Sequence, residues 1–241
     1  MLIIPALNLK NGNVVRLRQG DPQNTVFYSD DPLAVARRFV EMGVRRLSVH
    51  DVDSLIGGGF PHMEIATRIA ESTGVEVQYG AAIDGAVPLH EALEQPFVLI
   101  ELRADRIAGT ELLREALRHD APRLALRLDV RDGRLDLKSP ERASSADPVA
   151  LARELVEAGA RRLIFSDLNR DGMLGGPNYA GLRALLHVID VPVMVAGGVA
   201  HHDHIRNLER LGAEGVIIGK ALYTGDLSLK GHIDENGAWR R

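Results

Sequence analysis

The sequence predicts an α/β protein, a (β/α)8 TIM barrel built from two half-barrel repeats. Eight short apolar runs alternate with seven amphipathic stretches, which is the pattern of repeated βα units around a parallel sheet. The segment from Asp31 to Asp51 recurs from Asp147 to Asp167, 116 residues further on, with 12 of 21 positions identical. The 241 residues suit eight such units in a single domain, residues 1–241. A doubly wound open sheet is the alternative; the half-length repeat favours the barrel, because two four-unit halves can close on each other.

The predicted elements follow from hydrophobic periodicity along the chain. Strands are predicted at Leu2–Leu7, Arg46–Asp51, Val75–Tyr79, Val98–Glu101, Leu124–Val130, Leu163–Ser166, Val191–Ala196 and Val216–Gly219. Helices are predicted at Pro32–Met42, Met63–Ser72, Pro88–Glu94, Glu111–Arg118, Pro148–Ala158, Tyr179–Val188 and His204–Leu211. The tail after Gly225 is short and polar, and it gives little support for an eighth helix.

Residues typical of helix ends support these boundaries. The Asp-Pro pairs that begin at Asp31 and Asp147 fit an N-cap followed by a proline in the first turn. Gly43, Gly159 and Gly212 stand where a glycine just beyond the last turn would end a helix.

Composition limits the classes of function. With 29 basic and 33 acidic residues the net charge is −4, which argues against a nucleic-acid surface but allows a local anion pocket. There are no cysteines, so disulfides and thiolate ligands are excluded, and a reducing cytoplasmic location is expected. The first apolar run is predicted as a strand, and no run is long enough for a membrane span. A monomer without metal or cofactor is expected.

The loops after the seventh and eighth predicted strands have the residues of a phosphate site. Gly197 and Gly198 follow one strand, and Gly219 and Lys220 follow the other. Glycines let the backbone approach an anion closely, and the loops after these two strands are the usual phosphate site of such barrels. The alternative is that Gly197 and Gly198 have no binding role, because glycine pairs are also common in loops that bind nothing.

The equivalent loops of the first half differ. The third strand ends in Gly80, Ala81 and Ala82, and Glu101 takes the place that Gly219 has in the second half. An acidic side chain repels phosphate. These loops have therefore either diverged without keeping a function or come to bind a different ligand. In the second case Arg103 is a candidate for a new cation at the site.

Polar residues also follow the first, fifth and sixth strands. Asn8 and Asp129 end strands that face each other across an eight-stranded barrel. The Asn8 side chain has no proton to exchange near neutral pH. Alternatively, Asn8 is simply a turn residue, because an Asn before Lys-Asn-Gly is typical of turns. The loop from Ser166 to Met173 includes Asp171 in a dense polar cluster, which could instead be a capped helix entry.

The histidines and the tryptophan are predicted to have mostly structural positions. A metal site at His201, His202 and His204 is the less favoured interpretation, because adjacent histidines diverge and an exposed helix start accounts for them. His50 ends the second strand and could line the barrel mouth. Trp239 is expected to pack or to lie in a disordered tail rather than to stack on a substrate.

With these residues the chain resembles the ProFAR isomerases of histidine biosynthesis and their cyclase sister family over nearly its whole length. ProFAR is a bisphosphorylated imidazole carboxamide ribotide, and the family forms a duplicated (β/α)8 barrel. The resemblance rests on the order and spacing of motifs more than on any one of them. The motifs are Ile4-Pro5-Ala6-Leu7, Val14-Val15-Arg16-Leu17 with Gln19-Gly20-Asp21, Leu128-Asp129-Val130-Arg131, Asp167 through Gly172, Gly176-Pro177-Asn178, Gly197-Gly198 and Gly219-Lys220-Ala221-Leu222-Tyr223.

The resemblance implies metal-free Amadori chemistry. An acid opens the ribose ring, and a base then removes the C2 proton of the Schiff base. At the two positions where the family has its acid–base pair, this chain has Asn8 and Asp171. At the position of the family's assisting aspartate it has Asp129. The resemblance also implies phosphate binding at the two half-barrel glycine sites. The residues expected to bind the rest of the substrate are Arg16, Gln19, Gly80, Ser166, Arg170 and Gly172.

The chain departs from the family pattern at five places. These are Asn8 for the strand-one aspartate, Gly80-Ala81-Ala82 for a glycine triplet, Asp84 for an arginine, Glu101-Leu102 for a Gly-Thr or Gly-Ser pair, and the absence of a Gly-Trp pair from residues 135–145. Two hypotheses follow. One is an aldose–ketose isomerase with impaired or altered activity. The other is a noncatalytic or repurposed paralog that binds a monophosphorylated sugar.

Overall fold

A closed barrel of eight parallel strands forms the centre of the molecule in the computed structural model, which describes residues 1–137 and 146–240 and confirms the predicted architecture. The ring order is β1, β4, β5, β6, β7, β9, β10 and β11, and β11 pairs with β1 to close it. The strands are β1 (Leu2–Lys10), β2 (Asn13–Arg18), β3 (Asp21–Ser29), β4 (Arg46–Asp51), β5 (Glu76–Gly80), β6 (Leu99–Arg103), β7 (Leu124–Arg131), β8 (Arg134–Leu135), β9 (Leu163–Asp167), β10 (Val193–Ala196) and β11 (Gly215–Ile218).

All seven predicted helices are present, with boundaries that shift by one or two residues, and the described ranges contain three further short helices. The helices are α1 (Pro32–Glu41), α2 (Ser54–Gly57), α3 (Met63–Thr73), α4 (Ala86–Leu93), α5 (Ala104–Ile107), α6 (Glu111–Asp120), α7 (Pro148–Glu157), α8 (Tyr179–Leu186), α9 (His202–Leu211) and α10 (Lys220–Thr224), with a 3-10 turn at Ala121–Arg123. Within the described chain no helix follows α10. Instead, Ala238 pairs with Leu2 at the start of β1.

The predicted caps form. The Asp31 carboxylate accepts the Ala34 N–H at 2.9 Å, and the Asp147 carboxylate accepts the Val149 N–H at 2.9 Å. Because these bonds satisfy amide groups that have no partner within the helix, the repeated Asp-Pro pairs start α1 and α7 at equivalent points of the two halves.

A hairpin that the sequence did not predict covers part of the barrel mouth. β1 continues through Asn8 to Lys10, and β2 returns antiparallel to it, with Asn8 opposite Val15. The interpretation of Asn8 as a turn residue is therefore wrong. A third strand, β3, then pairs antiparallel with β2. Arg16 on β2 and Gln19 in the turn between β2 and β3 both line the cavity at the carboxyl end of the barrel.

The barrel interior changes from apolar to polar along its axis. Inward-facing residues alternate along each strand, so those from neighbouring strands form layers. The apolar layers contain Ile4, Ala6, Leu99, Ala125, Ile164, Met194, Ala196 and Ile217. Buried polar residues of the interior include Ser48, Gln78, Glu101 and Ser166. A larger apolar core packs the strands against the helices.

Residues 138–145, most of the loop that lacks the Gly-Trp pair, lie outside the described chain, as does residue 241. In the part of the chain that the structure describes, no helix is long and apolar enough to cross a membrane.

Candidate active site

A cavity of about 650 Å³ opens at the carboxyl end of the barrel. Active sites of (β/α)8 barrels lie at this end, where loops follow the strands. The structure brings together here most of the residues that the sequence analysis identified. Those lining the cavity are Asn8, Arg16, Gln19, Gly80, Asp129, Ser166, Asp171 and Gly197.

A second, small cavity adjoins the first at the ends of β10 and β11 and contains the predicted phosphate residues. Its lining includes Gly172, Gly197, Gly198, Gly219 and Lys220. We call Gly197, Gly198 and Gly219 the glycine cradle. The two cavities share Arg16, Asp171 and Gly197, so a ligand in the mouth could place a phosphate in the cradle.

The backbone of the cradle requires glycine at two positions. Gly197 and Gly198 have φ angles of 96° and 81°, which residues with a side chain rarely adopt. A Cβ at Gly197 would lie 2.6 Å from the Asp167 carbonyl oxygen, and one at Gly198 would overlap the Gly176 carbonyl. The backbone of this loop therefore packs directly against the backbone at Asp167 and Gly176.

Arg16 covers the cradle. A Cβ at Gly219 would overlap the Arg16 guanidinium, which therefore lies directly against this glycine. The same guanidinium is ion-paired with the Asp171 carboxylate. The Lys220 ammonium donates to the Gly172 carbonyl at 2.9 Å, and both Arg16 and Lys220 line the small cavity.

Asp171 lies in the loop after β9, and Arg170 beside it has a different environment. The side chain of Asp171 is 17% exposed and lines both cavities. Arg170 donates to the Gly176 carbonyl at 2.9 Å and lies 3.4 Å from the Asp167 carboxylate. It lines neither of these two cavities and its contacts hold the loop, so its predicted role in substrate binding stays a prediction.

Asp129 lies between two arginines on the cavity wall. Arg127 donates its Nε–H to the Asp129 carboxylate at 2.8 Å, and Arg103 makes a second ion pair with it. Burial opposes ionisation of Asp129, but Arg127 and then Arg103 outweigh it and lower the pKa of this carboxyl group. Asp129 is therefore an anion near neutral pH and a weak base.

Asn8 is buried at the side of the cavity. Its exposed fraction is 3%, and its Oδ1 atom accepts no hydrogen bond from any described residue. Because a buried polar atom without a partner costs free energy, this oxygen is suited to accept a hydrogen bond from a bound ligand.

Glu101 is held inside the barrel by four partners. Ser48 Oγ and Gln78 Nε2 donate to one carboxylate oxygen at 2.7 and 2.8 Å. His50 Nε2 lies 2.8 Å from the other oxygen, and Arg127 Nη1 donates to it at 3.0 Å. The carboxylate is thus neutralised within the barrel wall. We call Glu101, His50, Arg127, Asp129 and Arg103 the mouth network.

The loops at the ends of β5 and β6 are occupied by the protein itself. The Ala82 N–H donates to Ser54 Oγ at 2.9 Å, so it is not available to a phosphate. Arg103 is paired with Asp129 and Asp105 and donates to the Asp136 carbonyl at 2.9 Å. Arg103 also lines the mouth cavity, so its role as a cation for a ligand stays a prediction, and a ligand there would compete with these protein contacts.

Ser48, Gln78 and Arg127 belong to the site but were not predicted from the sequence. Arg127 could have been found, because a charge in the middle of a strand with apolar neighbours needs a buried partner. Ser48 and Gln78 give no such signal, because short polar side chains also occur in strands.

The mouth network predicts how stability responds to acid. Burial opposes ionisation of Glu101, but His50 and then Arg127 and Ser48 hold its pKa far below the ordinary value. A carboxyl group with a lowered folded-state pKa stabilises the protein above its unfolded-state pKa, and this stabilisation is lost as the pH falls. The unfolding free energy is therefore expected to decrease below about pH 4.5, near the unfolded-state pKa of a glutamate.

Urea unfolding at several pH values tests this expectation. Glu101→Gln should flatten the decrease between about pH 5 and pH 3, whereas Glu111→Gln on an exposed helix should leave it unchanged. An equal slope for Glu101→Gln and the unchanged protein would mean that Glu101 does not carry the effect.

The remaining histidines and Trp239 lie away from the mouth cavity. His201 precedes α9 and His202 begins it, as expected of a helix start, and His204 Nδ1 accepts the Ala200 N–H at 3.2 Å. Trp239 is buried and stacks on His232, so it packs as predicted. Across the described ranges, 1–137 and 146–240, no group of three or more His, Asp or Glu side chains is placed to hold a metal ion.

The closed parallel barrel, the mouth cavity and the adjoining glycine cradle define the class of (β/α)8 barrels with a ligand site at the carboxyl end. Within this class, residues 2–228 match the family described as "Histidine biosynthesis protein", and the chain belongs to that family.

Its relatives match over nearly their full lengths. A protein of Dehalococcoides mccartyi strain 195 is 36% identical over 235 residues, covering 98% of this chain and 99% of the relative. A protein of Acetivibrio thermocellus is 33% identical over 234 residues, covering 97% and 99%. Both are named 1-(5-phosphoribosyl)-5-((5-phosphoribosylamino)methylideneamino)imidazole-4-carboxamide isomerase, that is, ProFAR isomerase.

Proposed function

We propose that this protein is an Amadori-type aldose–ketose isomerase that acts on ProFAR in histidine biosynthesis. The observation that carries the proposal is the joining of Asp171, Asp129 and Asn8 to the glycine cradle in one continuous space at the barrel mouth. A phosphate in the cradle would fix the substrate there, with a group able to exchange protons beside it.

Asp171 is proposed as the acid that opens the ribose ring. Its carboxyl group would donate a proton to the ring oxygen. In the structure it is paired with Arg16, which lies against the cradle. A phosphate dianion in the cradle competes for this guanidinium, so ligand binding would release Asp171 to exchange a proton with the substrate.

Asp129 is proposed to stabilise charge rather than to take up a proton. The two arginines keep it ionised, as its lowered pKa indicates. An anion at the cavity wall favours the protonated Schiff base, which is cationic, and thereby lowers the barrier to loss of the C2 proton.

A second candidate is a noncatalytic protein that binds a monophosphorylated sugar. The observation that favours it is the occupied first half-site, where Ser54 takes the Ala82 N–H and Glu101 replaces a glycine. Such a protein would use only the cradle for phosphate.

ProFAR turnover by the purified protein, beside an Asn8→Asp variant, tests both candidates. We expect turnover above the uncatalysed rate and a higher rate for the variant, because it regains a carboxylate at position 8. If neither protein turns over ProFAR at high enzyme concentration, the isomerase proposal is wrong. Saturable binding of ribose 5-phosphate by such an inactive protein would support the second candidate.

A further inference from the structure

The strand register places His50 beside the position where the family's carboxylate is missing. Asn8 on β1 is paired with His50 on β4. Adjacent strands of a sheet lie about 5 Å apart, so the two side chains enter the mouth at the same level. Both line the mouth cavity, and the His50 side chain is 23% exposed.

The ring of His50 has a defined orientation. Its Nε2 atom lies 2.8 Å from Glu101 and 3.2 Å from Ser48 Oγ. A Cβ at Gly80 would lie 2.5 Å from His50 Cδ2 and 3.0 Å from Nε2, so this edge of the ring packs on Gly80. Nδ1 is the ring atom opposite that edge. It makes no hydrogen bond with any residue that the structure describes.

Glu101 determines which nitrogen of His50 carries the proton. Its carboxylate is only 1% exposed and already accepts bonds from Ser48, Gln78 and Arg127. A carboxylate accepts hydrogen bonds, so Nε2 is the protonated nitrogen and Nδ1 has a free lone pair.

We propose that His50, oriented by Glu101, is the base that removes the C2 proton, in place of the carboxylate that is absent at position 8. This inference rests on the proposed isomerase function. Asp129 is committed to two arginines, the Asp51 carboxylate accepts the Ser54 and His62 amides, and Asn8 cannot take up a proton. His50 Nδ1, by contrast, has no hydrogen-bond partner among the described residues.

The proton transfers balance over the reaction. The C2–H bond breaks, its proton goes to Nδ1, and its electron pair forms the C1–C2 double bond while the imine π pair moves onto nitrogen. The imidazolium then returns this proton to C1. The C2 hydroxyl loses its proton to Asp171, which had given one to the ring oxygen, and the C2 carbonyl forms. Both groups end in their starting protonation states, as catalysis requires.

His50→Asn tests the inference. Removing a positioned base should lower kcat by about 10²-fold or more, with little change in KM, since the cradle is untouched.

Two further variants separate a catalytic from a structural role. Adding Asn8→Asp to His50→Asn should restore turnover, because a carboxylate then stands at the neighbouring position, whereas a folding defect would persist. His90→Asn, on the exposed face of α4, should match the unchanged protein. If His50→Asn unfolds, His50→Gln, with a longer amide, is the replacement in the same assays.

The outcomes distinguish the two proposals. If the unchanged protein turns over ProFAR and His50→Asn keeps kcat within about twofold, the role of His50 is wrong and the isomerase function stands. If the unchanged protein is inactive and only Asn8→Asp is active, His50 does not replace the carboxylate. If both are inactive, the isomerase function itself is wrong and the inference fails with it.

Discussion

Asp171→Asn is expected to lower kcat for ProFAR isomerisation by about 10³-fold, within the range that positioned acid–base groups contribute. The amide is nearly the same size as the carboxyl group but cannot give a proton to the ring oxygen or take one from the C2 hydroxyl. KM should change little, because Gly197, Gly198 and Gly219 are unaltered. Steady-state and single-turnover rates with purified ProFAR measure the effect.

Asp190→Asn is the matched control, because Asp190 is exposed in the turn before β10. It should retain the activity of the unchanged protein. Activity of Asp171→Asn within about tenfold of the unchanged protein would remove Asp171 from the role of acid, since a general acid contributes more than this.

Arg127→Met is expected to lower the unfolding free energy by about 3–5 kcal/mol, the cost of removing one partner of a buried ion pair. Methionine fills much of the space of the arginine stem but leaves two buried anions without one of their cations. Arg127 donates to Glu101 at 3.0 Å, to Asp129 at 2.8 Å and to Ser166 at 3.0 Å. Urea unfolding followed by circular dichroism measures the loss.

An exposed arginine provides the comparison. Arg114 pairs with Glu111 on the surface of α6, and both side chains are more than half exposed. Arg114→Met should change the unfolding free energy by less than about 1 kcal/mol, because solvent screens exposed pairs. Equal effects at the two positions would show that the mouth network does not depend on Arg127.

The mouth network accounts for the altered first half of the barrel. The two halves begin alike, yet Glu101 takes the place of Gly219, and His50 that of Ser166. In the structure these two substitutions are in contact, with Nε2 2.8 Å from the carboxylate. From the sequence alone, Glu101 is only an acidic residue that would repel phosphate. In the structure it is the hydrogen-bond partner of His50, the residue proposed as base.

The barrel and the cradle could be predicted because their signals are local. Apolar periodicity defines strands and helices, Asp-Pro pairs mark helix starts, and paired glycines allow the backbone angles observed at Gly197 and Gly198. The hairpin of β2 and β3 escaped prediction. β3 is largely exposed and lacks the alternation of a half-buried strand, and it pairs only with β2 among the described strands.

The sequence by itself determined the eightfold alternation, the internal duplication and the residues at each strand end, because these depend on spacing along the chain. The tertiary structure alone decided which of those residues meet. His50 and Glu101 are 51 positions apart, and Arg16 and Asp171 are 155 apart. Such contacts depend on the register of strands around a closed barrel, and a shift of one residue would turn each side chain to the opposite face.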